Sequence, residues 1–201
     1  MRLIVLLSIL CGVLYWKSGG EFSLGGSFDG LVGGRHAPDS PIQKSNFPAK
    51  SRNINGFTLT LHHKFSLTAL VLSKKNYISG MESKLSPVDL ALGWGPMSNP
   101  GPLRSISISQ GGRFYRFRYN NPPPIAHRDI ERHSSNMHII PANDKISKEL
   151  KKVRKGDVVS LRGHLVDAKG ARGWYWKSSR TRNDTGAGAC ELFLVDGIAI
   201  K

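Results

Sequence analysis

The chain has 201 residues, 39% of them hydrophobic, which is enough for one packed domain plus a tail; 22 glycines and 11 prolines point to a turn-rich, β-rich body. The 29 Lys and Arg against 14 Asp and Glu leave a net charge of +15. That excess favours anionic partners (nucleic acid, acidic headgroups, anionic polysaccharide) and says nothing of the fold, while two cysteines, Cys11 and Cys190, exclude a disulfide framework.

Arg2 precedes an unbroken apolar run, Leu3 to Trp16, closed by Lys17. At 1.5 Å per residue the run spans roughly 21 Å, short of ~30 Å of hydrocarbon, so it fits a short membrane anchor or a signal-peptide core. No small-x-small cleavage site follows cleanly, Lys17-Ser18-Gly19-Gly20 being a poor one, and Leu10 is too large for a lipoprotein signal at Cys11. Tyr15 and Trp16 suit an interfacial belt. An anchor or a signal places the body outside the cytoplasm, with the membrane as a partner of the first segment, whereas the third reading, a buried helix of a soluble protein, does not. The expected division is 1–17 anchor or signal, 18–56 flexible Gly-, Ser- and Pro-rich linker, and 57–201 one β-rich domain.

Within the body, Phe57, Leu59 and Leu61 alternate with polar residues, the period of a half-buried strand; Phe65 to Leu72 predicts a second, with Lys74-Lys75-Asn76 as a break. His62 and His63 would point to opposite faces and cannot easily share a metal. Ser86-Pro87-Val88-Asp89 carries a helix-start signal, predicting a short helix that stops at Gly93. Trp94, between two glycines, would wall a pocket or plug the end of a barrel. Ile106 and Ile108 alternate with serines, and a glycine turn leads into RFYRFRY. As a strand this puts Arg113, Tyr115, Phe117 and Tyr119 on one face and Phe114, Arg116 and Arg118 on the other. Such a surface suits single-stranded nucleic acid, with charges on phosphates and rings on bases; the plainer alternative is rings in a core and arginines in water.

His127, His133 and His138 fall close together, but their spacing matches no metal motif, and neither a metal nor a cofactor is expected. Asn143 or Asp144 caps a helix over KISKELKKVRK, whose Ile146, Leu150 and Val153 form one apolar stripe and whose stop is Gly156. Val158 to Val166 is a strand with Gly163 as a bulge or close approach. Trp174 and Trp176 share a face. They lead into a polar loop with Arg180, Arg182, Asn183, Asp184 and Thr185, and then into strands at Glu191–Val195 and 197–200. The expected fold is mainly β: a small barrel of OB type, or a sandwich, with two short helices, after an N-terminal hydrophobic helix.

GWGPMS (93–98), SNMHIIPA (135–142), KGDVVSLRGHLV (155–166) and SSRTRNDTGAGACE (178–191) resemble a group of uncharacterised bacterial proteins with an N-terminal hydrophobic segment. The resemblance covers residues 65–196 and implies a bacterial inner-membrane or periplasmic protein with one compact module. It carries no activity.

Two functions follow as expectations. The first is a non-enzymatic binding or assembly domain that contacts an anionic polymer or another envelope protein. It would use Arg113, Arg116, Arg118, Arg180 and Arg182, with Trp94, Trp174 and Trp176 as apolar contacts. The second is a hydrolase acting on phosphodiesters, metal-dependent in one version. His138 would be its base, Asp184 or Glu191 a second acid–base group or ligand, and Arg180 or Arg182 would steady negative charge. Asp184 also has a turn-forming role, paired with a nearby arginine. Cys190, at the start of an apolar strand, is expected to be packing rather than a nucleophile.

Overall fold

The computed structural model describes residues 34–181 and 190–201. The hydrophobic helix, part of the linker, Arg182 and Asp184 lie outside the described residues. Among the described residues, no helix is long and apolar enough to cross a membrane.

The body is mainly β. Its strands are β1 (Ile42–Ile54), β2 (Phe57–Asn76), β3 (Val88–Gly93), β4 (Ile106–Gly111), β5 (Phe114–Tyr119), β6 (Ser134–Pro141), β7 (Val158–Lys169), β8 (Tyr175–Trp176) and β9 (Glu191–Ile200). Its helices are α1 (Met81–Leu85), α2 (Pro100–Leu103), α3 (His127–Arg132) and α4 (Asp144–Lys152). The main sheet runs β1-β2-β3-β6-β9-β7-β8, and β2 also pairs with β7. That last ladder closes β2, β3, β6, β9 and β7 into a ring. All its pairings are antiparallel except β6 with β9, which is parallel. β4 and β5 form a separate hairpin.

Strand alternation sorts the apolar residues onto the two faces of the ring. Inside lie Phe65, Leu67, Ala69 and Val71 of β2, Leu90 and Leu92 of β3, Met137 and Ile139 of β6, and Phe193 and Val195 of β9. Trp94 joins this interior at 2% exposure, so it plugs the core and walls no open pocket. On the outer face, Leu70, Leu72 and Ala91 are covered by Ile106, Tyr115 and Phe117 of the hairpin with Ile130 of α3. The arginine-aromatic strand therefore packs Tyr115, Phe117 and Tyr119 against a core, with Phe114 on the other face beside Arg116 and the exposed Arg118. A third cluster packs Leu192 and Leu194 with Val166, Ala168, Leu59 and the two indoles of Trp174 and Trp176. Those indoles meet edge to face at 6.0 Å, as expected of ring partners sharing a side.

α4 forms where expected. Asn143 accepts from the Ile146 N–H at 3.0 Å, a cap that contributes about 1 kcal/mol. Ile146 and Leu150 close onto the ring interior. The helix ends at Lys152, and Gly156 lies beyond it in a turn at φ +94°. Lys74 finishes the helix instead: its Nζ donates to the carbonyls of Leu150, Lys151 and Val153 at 2.7–3.1 Å.

Five expectations are corrected. Residues 87–92 form no helix. Residues 88–92 belong to β3, whose six residues are all buried, and Asp89 there pairs with His138 across the sheet instead of capping. β2 is one strand, bent by a register shift between Leu61 and His63, and it runs through Lys74 to Asn76. β9 likewise continues to Ile200. Ile42–Ile54, within the expected linker, pairs with β2 as an edge strand. Four helices are present among the described residues where two were expected.

Candidate functional site

The outer face of β3 and β6 holds a buried polar group. Asp89 and His138 are directly paired across the two strands and are 0% and 2% exposed. His138 Nδ1 lies 3.0 Å from Asp89 Oδ1. The hairpin supplies the counter-charge. Gly112 and Arg113 both take positive φ in the β4–β5 turn. Arg113 Nη1 donates to Asp89 Oδ1 at 2.7 Å and Nη2 to the Ser86 carbonyl at 2.9 Å. The guanidinium lies 3.8 Å over the Tyr77 ring and 5.5 Å from that of Trp176, which itself sits 4.7 Å from the His138 ring. Burial raises the Tyr77 phenol above its ordinary range, and the Asp89 charge adds to this while Arg113 partly opposes it. Asn136 ties the turn down, donating to the Arg113 carbonyl at 3.1 Å and accepting from Gln110 at 2.6 Å.

A second group is centred on Asp167 of β7, which is also buried. Tyr175 donates to its Oδ2 at 2.7 Å and the Ser178 N–H to its Oδ1 at 3.1 Å, and Arg180 donates to Oδ2 as well. His62 Nε2 lies 3.0 Å from Asp167 Oδ2 and 2.8 Å from Arg180 Nη2. It donates to the first or accepts from the second, according to which ring nitrogen carries the proton. Burial alone would raise the Asp167 carboxyl. The Tyr175 and Ser178 hydrogen bonds, with the Arg180 and His62 charges, outweigh that and hold it below the usual carboxylate range. The cluster anchors the start of the polar loop. Ser179 N–H bonds the Cys190 carbonyl at 3.0 Å, so the two ends of that loop are tied together.

Of the expected hydrolytic set, His138 and Glu191 are not brought together, while Asp184 and Arg182 lie outside the described residues. His138 is paired with Leu192 and faces outward, whereas Glu191 is paired with Met137 and faces the ring interior, bonded by the Ser135 hydroxyl. A sheet one residue thick separates them. Among the described residues, no group of three or more His, Cys, Asp or Glu could hold a metal. His127 and His133 are structural, with Nδ1 at 2.7 Å from the Tyr119 hydroxyl and at 2.9 Å from the Asp129 carbonyl.

Of the expected binding residues, Arg113 and Arg180 are neutralised by buried aspartates, and Trp94 is enclosed. Arg116 and Arg118 face outward, and Trp174 and Trp176 are half-buried. No family model, curated protein or solved structure matches the chain. Two of the four motifs of the sequence likeness, 135–142 and 155–166, lie mostly in the ring strands β6 and β7. A Cβ on Gly93 would lie 2.3 Å from the Met97 carbonyl oxygen. Ser98 bonds both backbone groups of Ala37 at 3.1 Å. Ser178 accepts from the Leu192 N–H at 3.0 Å.

Sequence reasoning missed a cationic row. Lys44, Lys64 and His164 are paired in register across β1, β2 and β7, with Ser66 and Arg162 as the next pair. Lys44, Lys64 and Arg162 are exposed, as are Lys50 and Arg52. Asp196 approaches from β9, 3.7 Å from Arg162 Nε and 3.9 Å from His164 Nδ1. Beside the row is a cleft of about 600 Å³ lined by Ser66, Thr68, Ser160, Arg162, Asn143 and Lys145, among others. The sequence carries this signal in KSNFPAKSR and LHHKF, but the first falls within the expected linker.

Proposed function

We propose that the chain is a non-enzymatic binding module for an anionic polymer, held at a membrane by its apolar first segment and displayed outside the cytoplasm. The cationic face of β1, β2 and β7 carries this reading. Like charges directly opposite one another on neighbouring strands are destabilising, and the row sets Lys44 against Lys64. Nothing in the ring's packing calls for that charge. A polyanion laid across the strands would relieve it and release its own counterions.

The connectivity supports the same reading. In chain order the ring strands β2, β3, β6, β7 and β9 are arranged first, second, third, fifth, fourth and back to first. The third and fifth are parallel, and α4 lies between the third and fourth. We read this as a small five-stranded Greek-key barrel of OB type, an architecture that binds oligonucleotides and oligosaccharides.

The test is the affinity of the full chain for inorganic polyphosphate as a function of salt. K44A and K64A should each weaken binding and lower the log–log salt slope by about one, less for a flexible strand. Unchanged affinity and slope in both variants would remove the reading.

A further inference from the structure

We infer that the polymer is a single-stranded nucleic acid and that Phe47 stacks on one of its bases. The inference rests on the polyanion reading above and names its substrate class. Between the pairs Ser45↔His63 and Lys50↔Leu61 the β1–β2 register slips, so residues 46–49 of β1 stand against His62 alone. The bulge is fixed at its base, where the Asn46 amide donates to the Leu61 carbonyl at 3.2 Å. At its crest Phe47 is 94% exposed. Lys44 and Lys50 flank the crest on the same strand, and Lys64 pairs with Lys44.

Lysines, a proline and a bulge on an edge strand are explained by the need to prevent edge-to-edge pairing. A bare phenyl ring works against that need. Cations that track a phosphate backbone around a ring open on its face are what a sequence-tolerant single-strand platform requires. The surroundings favour this over lipid. Ser45, Asn46 and Ser51 are polar, and the bulge's other apolar residues, Pro48 and Ala49, are small, so Phe47 has no second large apolar side chain on the bulge with which to enter a bilayer.

The experiment uses the full chain in neutral detergent and three probes: an oligothymidylate of about twenty residues, comfortably above one site size, an abasic deoxyribose-phosphate chain of equal length, and phosphatidylglycerol vesicles. F47A should weaken oligothymidylate binding about tenfold, within the range of one stacked base, while F47W retains it. The abasic chain should bind F47A as it binds the unaltered protein, with the same salt slope. Equal loss on both chains, no loss on oligothymidylate, or a loss confined to vesicles would overturn the stacking assignment. Failure of K64A to weaken either chain would instead overturn the polyanion reading beneath it.

Discussion

Asp89 and His138 face each other across β3 and β6, with Asp89 Oδ1 accepting from the Arg113 guanidinium and lying 3.0 Å from His138 Nδ1. One fully buried carboxylate thus holds together the sheet, the hairpin turn and, through the ring contact of His138, Trp176. Removing it strands a guanidinium that is largely withdrawn from water. Asp89→Ala should cost about 3–5 kcal/mol, seen as a lower urea midpoint. A change under ~1 kcal/mol, the scale of an exposed pair, would show that the pair is no more than a surface ion pair in energetic terms.

Asp167 gives the fold an acid limit. Its folded pKa lies below the unfolded value, so its contribution is present above the ordinary aspartate range and is lost as pH falls through the depressed value. Asp167→Asn should therefore lower stability at neutral pH and flatten its decline on acidification. Urea midpoints at a series of acid pH values check both signs.

His164 acts in the opposite charge sense. Burial lowers its pKa from the model-compound value of 6.5; Asp196 pulls it up, and Lys64, Arg52 and Lys50 push it down again. The unfolded chain then takes up the proton first, so stability is lost as pH falls through about 6.5. His63, lowered by burial and then by Arg180 and His62, contributes to the same fall. His164→Gln should remove part of the loss between pH 7.5 and 5.5. A polyanion on the row should also draw a proton onto His164, detectable as a binding enthalpy that varies with buffer.

Gly163 sits where β7 crosses β9 at a register shift. A Cβ there would fall 1.9 Å from the Leu194 carbonyl oxygen, and backbone cannot move aside as a side-chain tip would. Gly163→Ala should abolish the cooperative urea transition. Gly56→Ala, with nothing within 4 Å but φ at +81°, should lower its midpoint only modestly.

Cys190 is buried at the head of β9. Iodoacetamide should label its peptide no faster than the protein opens, and rapidly in urea. Rapid labelling of the native chain would point to a reactive thiol.

Much of this fold was legible where a strand or helix buries one face. The alternation of Phe57, Leu59 and Leu61, the β4–β5 hairpin, the Asn143 cap and the tight passage at Gly163 all carry local signals. β1 carries none because it pairs only along its edge: most of its residues are exposed on both faces, so no apolar period exists to read. In 87–92 the local cap chemistry pointed to a helix, and burial on both faces overrode it. The candidate site was harder still. Asp89, Arg113 and His138 are distant in sequence, and only the pairing of β3 with β6 and the reach of the hairpin turn bring them together. The cationic row likewise depends on strand register, which composition does not encode.

The ladder that seals the ring joins Thr58 to Lys169 and Leu70 to Val158, so its two halves are made far apart in synthesis. Until the second half emerges, β2 has no partner on that flank and the interior stays wet. Folding is thus postponed until nearly the whole chain exists, and the ring closes in one late step rather than strand by strand.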